Sequence, residues 1–197
     1  MSENPVGRPR QTTHDEIRRV AFGLFAERGY AATSLAQIAA GAGISRTTLF
    51  SYFPAKRDLL WEDHERALER LRDTLAEQPG VAVVDLLVAG MLAIAHYEPA
   101  EHAALAARRR IVQDDPDLRA HSVSRAEELV EMLVDACLRA HPGVDAELVD
   151  SVARALMAVA SRCTEEWSLR SSADEPLDAF TARRLGPLAV ALQPLLP

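Results

Sequence analysis

The sequence is poor in cysteine and in aromatic residues. It has two cysteines in 197 residues, Cys137 and Cys163, and its aromatic content is 5%. Two cysteines cannot build the disulfide framework of a small secreted domain. Both fall within apolar helical patterns, which predicts buried free thiols. With a hydrophobic content of 48%, the core must be built mainly from aliphatic side chains.

The sequence also lacks a long apolar run and an opening secretory signal. Its most apolar segment, residues 81–95, contains Asp85 and is shorter than the ~20 residues that a transmembrane helix needs. We therefore expect a cytoplasmic protein with no membrane partner.

Motifs of enzymatic chemistry are missing as well. There is no nucleophile elbow, phosphate-binding glycine loop or paired-carboxylate signature, so we expect neither an enzyme nor a bound cofactor. Cys137 and His141 are four residues apart on one predicted helix face. No third ligand follows at a suitable spacing, and we predict no metal site.

Charge is distributed unevenly along the chain. The formal net charge is −7, but residues 1–60 hold eight Arg or Lys against five acids, whereas residues 61–197 hold fourteen against twenty-four. This pattern favours a protein that offers one basic end to a polyanion. We divide the chain into a flexible basic arm (1–12), a head (13–60) and a helical body (61–197).

The head is organised around residues 33–60, TSLAQIAAGAGISRTTLFSYFPAKRDLL. Apolar residues at three- and four-residue steps predict a short helix, and Gly43 can supply the positive φ of a tight turn. Ser45 stands where the N-cap of a second helix belongs. Thr13 and Glu16 predict a capping box for a preceding helix, and Pro54 predicts the start of the following one. Two short helices around a glycine turn are typical of a helix-turn-helix motif.

The same run resembles the N-terminal signature of the TetR family of transcriptional regulators. The likeness lies in an Ile-Ala-x-x-Ala-Gly-Ile-Ser turn before Thr-Leu-Phe-x-Tyr-Phe-x-x-Lys, and it covers residues 13–60. The resemblance implies a homodimer that binds a palindromic operator, most simply as a repressor. Phe50 stands where the family more often has tyrosine, so this position has no hydroxyl group to bind a phosphate.

The body reads as six helices, the first running on from the head to about residue 77. The others cover about 81–96, 101–113, 117–140, 145–170 and 175–195, with breaks marked by proline, glycine and polar residues. Pro187 should kink or restart the last helix. No strand-like alternation is present, so the predicted fold class is all-α, with a three-helix head and a six-helix body. We expect dimerisation through the last two long helices, using small residues between Ser151 and Ser161 and apolar residues of the last helix such as Leu177 and Phe180.

The chemistry of DNA recognition selects the candidate contact residues of the head. Arginine can bond two acceptors of guanine, and threonine can contact a thymine methyl group. The candidate base contacts are Arg46, Thr47, Thr48 and Gln37, and the candidate phosphate contacts are Thr33, Ser34, Ser45, Tyr52 and Lys56, the only lysine of the chain. Arg8 and Arg10 could enter a minor groove, although a solubilising tail is an equal alternative.

Large residues among many alanines in the body predict a small-molecule cavity. The candidate lining residues are Trp61, His64, Met91, His96, Tyr97, Arg108 and Trp167. A second resemblance, to the subgroup that includes mycofactocin-system regulators, implies an acyl-CoA-like effector. The leading interpretation is a repressor released from DNA by a small apolar or amphipathic ligand. The alternatives are a helical scaffold whose basic head binds another partner, and an all-α enzyme using His64 or His96 as a base.

Overall fold

The computed structural model describes residues 13–76 and 80–196. Within these ranges the chain forms nine α-helices and two 3-10 turns, with no strand, which confirms the all-α prediction. Arg8 and Arg10 lie outside the described residues. The helices are α1 (His14–Arg28), α2 (Leu35–Gly41), α3 (Arg46–Tyr52), α4 (Asp58–Ala76), α5 (Val83–Ile94), α6 (His102–Asp114), α7 (Pro116–Ala140), α8 (Ala146–Ser168) and α9 (Leu177–Leu192), and the turns are Pro99–Glu101 and Gln193–Leu195.

The helices form two compact units, one ending at Leu60 and the other beginning at Trp61. The first unit contains α1 to α3 and the start of α4. The second contains the rest of α4 and α5 to α9. Helix α4 is therefore the one element, in the part of the chain that the structure describes, to which both units contribute residues.

Capping fixes the helix ends of the first unit. The Thr13 hydroxyl accepts from the Glu16 amide, and the Glu16 carboxylate accepts from the Thr13 amide, both at 3.2 Å. This capping box starts α1 as predicted. After α2, Gly43 adopts a φ of +68°, while the Ile44 amide donates to the Ala39 carbonyl at 3.0 Å. These features form the Schellman motif that turns the chain from α2 into α3.

The start of α4 differs from the prediction. Pro54 was expected to open the helix, but residues 54–57 form a turn and the helix begins at Asp58. The Asp58 carboxylate accepts from the Ala55 amide at 2.7 Å, which satisfies an amide that would otherwise stay unpaired at the helix entry. Lys56 consequently lies before α4 rather than in its first turn.

The core of the second unit is built around α5. Leu86, Leu87 and Met91 are at most 2% exposed and belong to a cluster that also contains residues of α4, α7, α8 and α9. A Cβ atom on Gly90 would lie 2.2 Å from the Leu133 side chain, so the absence of a side chain lets α7 pack directly on α5. These close contacts make α5 the central helix of the unit.

Two further features concern the apolar helices. Helix α9 continues past Pro187 to Leu192 without restarting. No single helix in the described ranges has the length and apolar character to cross a membrane, although the bent pair Val83–Ile94 and Pro99–Asp114 passes that test by length and composition.

Candidate DNA-reading helix and ligand cavity

Helix α3 has an exposed polar face and, on its other side, a fully buried residue. Leu49 is fully buried, whereas Arg46, Thr47 and Thr48 are exposed. The Ser45 hydroxyl caps the helix by accepting from the Thr48 amide at 3.0 Å. One arginine and two threonines of α3 are therefore exposed to solvent, while the buried leucine and the N-cap fix the orientation of the helix.

Phe50 is a candidate contact that the sequence argument overlooked. Its side chain is 41% exposed, and the Arg46 guanidinium carbon lies 5.9 Å from its ring centroid. An exposed phenyl ring can pack on a thymine methyl group and can also restrict the orientation of a neighbouring guanidinium. The four-residue spacing from Arg46 was the available signal, since residues four apart share a helix face.

The predicted contacts around α2 have structural roles in the head. The Gln37 carbonyl oxygen accepts from the Ser34 amide at 2.8 Å and from the Ser34 hydroxyl at 3.0 Å, forming the capping box of α2. The assignment of Thr33 to phosphate is wrong for its side chain. Thr33 is 1% exposed, and its hydroxyl donates to the carbonyls of Gly29 and Leu24 at 2.9 and 3.3 Å.

Lys56 joins the end of the α1–α2 connection to the turn before α4. Its ammonium group donates to the carbonyl of Tyr30 at 2.8 Å and to that of Thr33 at 3.0 Å, and lies 4.1 Å from the Tyr30 ring centroid. Tyr52, at the end of α3, is half-buried with its ring edge-on to His14 at a centroid distance of 4.8 Å. Both predicted phosphate contacts are thus integrated into the packing of the head.

A separate candidate site is a cavity of about 150 Å³ inside the second unit. Five of the predicted lining residues border it, namely Trp61, His64, Met91, Tyr97 and Arg108. The rest of its wall comes mainly from α5, α7 and α8, which contribute Ile94, Ser122, Arg125, Ala126, Leu129, Met157, Ala160, Ser161 and Thr164, together with Ala67 of α4 and Ala95, which follows α5. The wall is largely apolar, with a few convergent polar groups, as is typical of small-molecule sites.

Two arginines approach the Trp61 ring at this cavity. The guanidinium carbons of Arg108 and Arg125 lie 5.9 and 5.5 Å from its centroid. Arg108 also donates to the Tyr97 hydroxyl at 3.4 Å, and Arg125 is paired with Glu65 at 3.5 Å. Sequence reasoning missed Arg125, because the helical pattern of α7 does not show which neighbouring helix its side chain faces.

Two lining side chains carry buried nitrogens without a protein partner. Among the described residues, neither Trp61 Nε1 nor His64 Nε2 makes a hydrogen bond, although the two side chains are only 7% and 8% exposed. Burial lowers the pKa of His64 from 6.5 to about 4, and the positive charge of Arg125 acts in the same direction. The imidazole is therefore neutral at pH 7. The cavity combines cationic groups with two polar nitrogens that have no hydrogen-bond partner in the described part of the chain.

His96 and Trp167, which the sequence assigned to a ligand site, do not line this cavity. His96 is exposed, and its Nδ1 lies 2.6 Å from an Asp178 carboxylate oxygen, at an open groove outside the cavity. Trp167 is fully buried in a second apolar cluster, where Nε1 donates to the Glu175 carbonyl at 3.0 Å. Trp167 thus packs within the core with its polar atom already bonded.

His141, which the sequence analysis considered with Cys137 as a possible metal ligand, has a structural role in the second unit. His141 Nε2 lies 2.8 Å from the Val81 carbonyl oxygen, which ties the end of α7 to the residues before α5. Within residues 13–76 and 80–196, no three His, Cys, Asp or Glu side chains come together in a group that could hold a metal ion.

Two protein-family models match the chain, one mainly over the first compact unit and the other within the second. The model for bacterial regulatory proteins of the tetR family matches residues 17–62, and the model of the MftR C-terminal domain matches residues 81–193, more than half of the chain. The chain belongs to the TetR family. It is accordingly a helix-turn-helix, DNA-binding transcriptional regulator, as its first 60 residues predicted.

Individual relatives agree with this membership. The chain is 31% identical over 167 residues to MftR of Mycobacterium tuberculosis, a protein named as a regulator of mycofactocin biosynthesis, and the match covers 84% of each chain. Among solved structures it is similar to Salmonella enterica GusR, with 25% identity, a TM-score of 0.52 and coverage of 97% and 100% of the two chains. It shares its fold with a TetR regulator of Nitrosomonas europaea at a TM-score of 0.58, with 17% identity and coverage of 93% and 98%.

Proposed function

We propose that this TetR-family regulator acts as a homodimeric repressor that reads a palindromic operator through α3 and releases it when a small molecule fills the cavity of the second unit. The observation that carries the proposal is the capped helix α3, whose exposed Arg46, Thr47 and Thr48 stand opposite the buried Leu49. A short helix held in this way is suited to the major groove, where each base pair presents a distinct pattern of donors and acceptors.

The contacts divide by chemistry. Arg46 is proposed to bind guanine with two hydrogen bonds, Thr47 and Thr48 to contact neighbouring bases, and Phe50 to pack on a thymine methyl group. Ser34, Ser45 and Tyr52 are proposed to lie near phosphates, which fix the register of the helix without reading sequence. Gln37 and Lys56 are engaged within the head, so we assign them a supporting role.

The dimer is proposed to form through α8 and α9. Leu177 and Phe180, which the sequence assigned to the interface, are buried in the core of their own chain. Exposed small residues on α8, namely Ser151, Ala155 and Ala158, recur at steps of four and three and form one stripe. Val190 of α9, a helix that packs against α8, is 71% exposed, and we propose that it joins this stripe in one apolar surface.

The cavity supports ligand responsiveness and limits the size of the ligand. A cavity of about 150 Å³ is the size that holds a benzene molecule, so a whole acyl-CoA would have to leave most of its nucleotide outside. Trp61 and His64, both on α4, line the cavity, and α4 begins in the first unit. We propose that α4 transmits occupancy of the cavity to DNA binding.

Arg46→Ala tests the reading helix. Binding of the chain to DNA from its own upstream region should weaken by about 1–3 kcal/mol for each bidentate hydrogen-bond pair that the substitution removes, with relaxed selectivity at one base position per half-site. A gel shift with a series of single-base operator variants measures both effects.

Arg139→Ala is the matched control for Arg46→Ala. Arg139 is 71% exposed on α7 of the second unit, so its substitution removes the same charge away from the head and should leave binding unchanged. Equal weakening in both variants would show a general charge effect and contradict the assignment of α3. Failure of the unmodified chain to bind any operator DNA would favour the scaffold alternative.

A further inference from the structure

Two buried nitrogens of α4 line the cavity without a hydrogen-bond partner. Neither Trp61 Nε1 nor His64 Nε2 makes a hydrogen bond within the described residues, and both side chains border the cavity. Because they lie three residues apart on α4, they share one face of that helix. A buried polar group without a partner costs stability, and each such group in a native structure calls for an explanation. A bound molecule that bonds to both nitrogens supplies one.

The chemistry of the two nitrogens defines the polar group of that molecule. The Trp61 indole N–H only donates, so the occupant must accept from it. Burial lowers the pKa of His64 to about 4, so its imidazole is neutral at pH 7, and Nε2 donates or accepts according to the tautomer. A hydroxyl group has one donor and two acceptor sites, and therefore suits both tautomers while it accepts from Trp61. A carbonyl or carboxylate oxygen only accepts, and suits one tautomer.

The charged groups that act on His64 are of both signs. Arg125 and, more weakly, Arg108 lower its pKa, whereas Glu65 and Glu128 raise it. Arg125 is itself paired with Glu65 at 3.5 Å. Cations and anions thus accompany each other around the imidazole, and an uncharged occupant avoids the cost of moving an ion out of water.

The size of the cavity sets the apolar part of the occupant. A space of about 150 Å³ is the size that holds a benzene molecule. Met91, Ile94 and Leu129 line it and provide an aliphatic surface. One water molecule could bond to both nitrogens, but it would leave that surface without a contact. A six-membered ring with one hydroxyl group fills the apolar space and bonds to the nitrogens as well.

We propose that the effector of this regulator is an uncharged ring compound of about the size of phenol, whose hydroxyl group accepts from the Trp61 indole N–H and bonds to His64 Nε2. The proposal rests on the proposed function, because it names the chemical class of the ligand that occupies the same cavity. Both bonded residues belong to α4, whereas Met91 and Leu129, which face the ring, belong to α5 and α7. The ligand would thus connect α4 to two other helices of the second unit.

Binding of phenol to the full chain, compared with toluene, tests the need for a hydroxyl group without any substitution. The two probes have nearly the same size, and toluene is the more apolar, so an apolar cavity without unpaired nitrogens would favour toluene. Isothermal titration calorimetry should show saturable phenol binding that is about tenfold tighter than toluene binding, as two added hydrogen bonds predict. Equal or tighter binding of toluene, or no saturable phenol binding at millimolar concentration, would overturn the proposal.

Two further probes distinguish the hydroxyl group from other polar groups. Benzaldehyde carries an oxygen that only accepts, as the carbonyl of an acyl thioester does, and benzoate carries a charge. Both should bind more weakly than phenol. Benzaldehyde binding as tight as phenol binding would overturn the hydroxyl group in favour of an acceptor such as an acyl thioester, and tighter binding of benzoate would overturn the uncharged ligand.

His64→Leu and His64→Gln separate hydrogen bonding from the shape of the cavity. Leucine is apolar and of comparable size, whereas the glutamine amide keeps a donor and an acceptor. His64→Leu should weaken phenol binding about fivefold without weakening toluene binding, and His64→Gln should keep the preference for phenol. His96→Leu is the control, since His96 is exposed outside the cavity, and it should change neither affinity. An equal loss for both probes in His64→Leu would contradict the hydrogen bond.

Thermal unfolding of these variants shows whether the fold is intact. If His64→Leu does not fold, the comparison of phenol with toluene on the unmodified chain still decides.

The two indole N–H signals give a readout of position by NMR. Phenol should shift the Trp61 signal, identified by its disappearance in Trp61→Phe, more than toluene does. The Trp167 signal should stay in place, because Trp167 Nε1 is bonded to the Glu175 carbonyl. Equal Trp61 shifts with the two probes, or a shift confined to Trp167, would contradict the proposed contact.

The ligand class and the proposed function can fail separately. A chain that binds its operator but prefers toluene to phenol remains a regulator, and only the hydroxyl compound is excluded. A chain that binds phenol but no operator DNA keeps the site and loses the proposed function. Saturating phenol should weaken operator binding in a gel shift, and unchanged operator binding would overturn its assignment as effector.

Discussion

At the scale of single residues, Lys56 shows how a side chain can serve the fold at a position where DNA binding was expected. Its ammonium group bonds the carbonyls of Tyr30 and Thr33 and lies over the Tyr30 ring. Two carbonyl groups in the loop that precedes α2 thus share one charged donor, and the Tyr30 carbonyl also accepts from the Thr33 amide at 3.2 Å. Charge-assisted hydrogen bonds of this kind are stronger than neutral ones, so Lys56 is a fixed part of the head.

Lys56→Met should therefore lower the free energy of unfolding by about 1–3 kcal/mol, because two partly buried carbonyls are left without a charged donor. Urea unfolding followed by far-UV circular dichroism measures the decrease. Arg57→Met is the control, since Arg57 is exposed and a surface substitution usually changes stability by less than ~0.5 kcal/mol. If Lys56→Met weakens DNA binding while leaving unfolding unchanged, the sequence-based assignment to phosphate is the better one.

At the scale of elements, the turn between α2 and α3 sets the direction of the reading helix. Gly43 has a φ of +68°, and a Cβ atom there would meet no other atom within 4 Å. The requirement for glycine is thus a matter of backbone conformation alone. Gly23, in the exposed face of α1, also has open space around it but has no positive φ. The two glycines therefore differ in backbone conformation, because Gly43 has a positive φ and Gly23 does not.

Gly43→Ala should destabilise the head by about 1–2 kcal/mol, because alanine disfavours the left-handed region. Gly23→Ala should stabilise it by about 0.5–1 kcal/mol, because alanine loses less entropy on entering a helix. Urea unfolding of both variants gives the signs directly. An unchanged or higher stability of Gly43→Ala would show that the turn between α2 and α3 does not need a positive φ.

Local signals explain why most elements could be predicted from the sequence. Caps, prolines and apolar periodicity depend on neighbouring residues, and they placed the nine α-helices of the described ranges, including the capping box at Thr13 and the positive φ at Gly43. The predicted start of α4 was wrong because it relied on the preference of proline for the first position of a helix. In the structure the Asp58 carboxylate accepts from the Ala55 amide in the turn, and the helix begins at Asp58. Pro187 was predicted to kink or restart the last helix, and it does not restart it, because α9 runs without a break from Leu177 to Leu192.

The candidate sites were less predictable, because they depend on contacts between helices. Thr33 and Trp167 have polar atoms that the fold already uses, and nothing in their own segments shows this. Arg125 reaches the cavity from α7, and its sequence neighbours give no sign of Trp61 as a partner. Residue type and helix face can suggest a cavity, but the set of its lining residues requires the packed structure.

At the scale of the whole molecule, the proposed dimer has to cover exposed surface without leaving buried charges unpaired. Arg154 is bonded to Glu127 at 2.6 Å and Arg162 to Glu165 at 2.8 Å, both within the same chain. Two residues of the α8 stripe, Ala155 and Ala158, lie between Arg154 and Arg162 in sequence. A partner could therefore cover Ala155 and Ala158 without burying an unpaired cation, which would be costly.

Two exposed valines allow a matched test of this interface. Val190 on α9 and Val123 on α7 are 71% and 69% exposed. Val190→Glu should bury a carboxylate in the proposed interface and weaken dimerisation at least tenfold, whereas Val123→Glu should leave the dimer intact. Light scattering at micromolar concentration should give twice the 21.5 kDa chain mass for the unmodified protein and Val123→Glu, and a falling mass for Val190→Glu.

DNA binding then links the dimer to the reading helix. A palindromic operator presents two half-sites, and the two α3 helices of a dimer bind them as one unit, whereas a monomer makes only one set of contacts. Val190→Glu should therefore lose most of its operator affinity although Arg46 and the rest of the head are unchanged, and high protein concentration should restore part of it. Val123→Glu should bind as the unmodified chain does. A Val190→Glu chain that is monomeric in solution yet binds the operator with full affinity would contradict both the interface and the need for two reading helices.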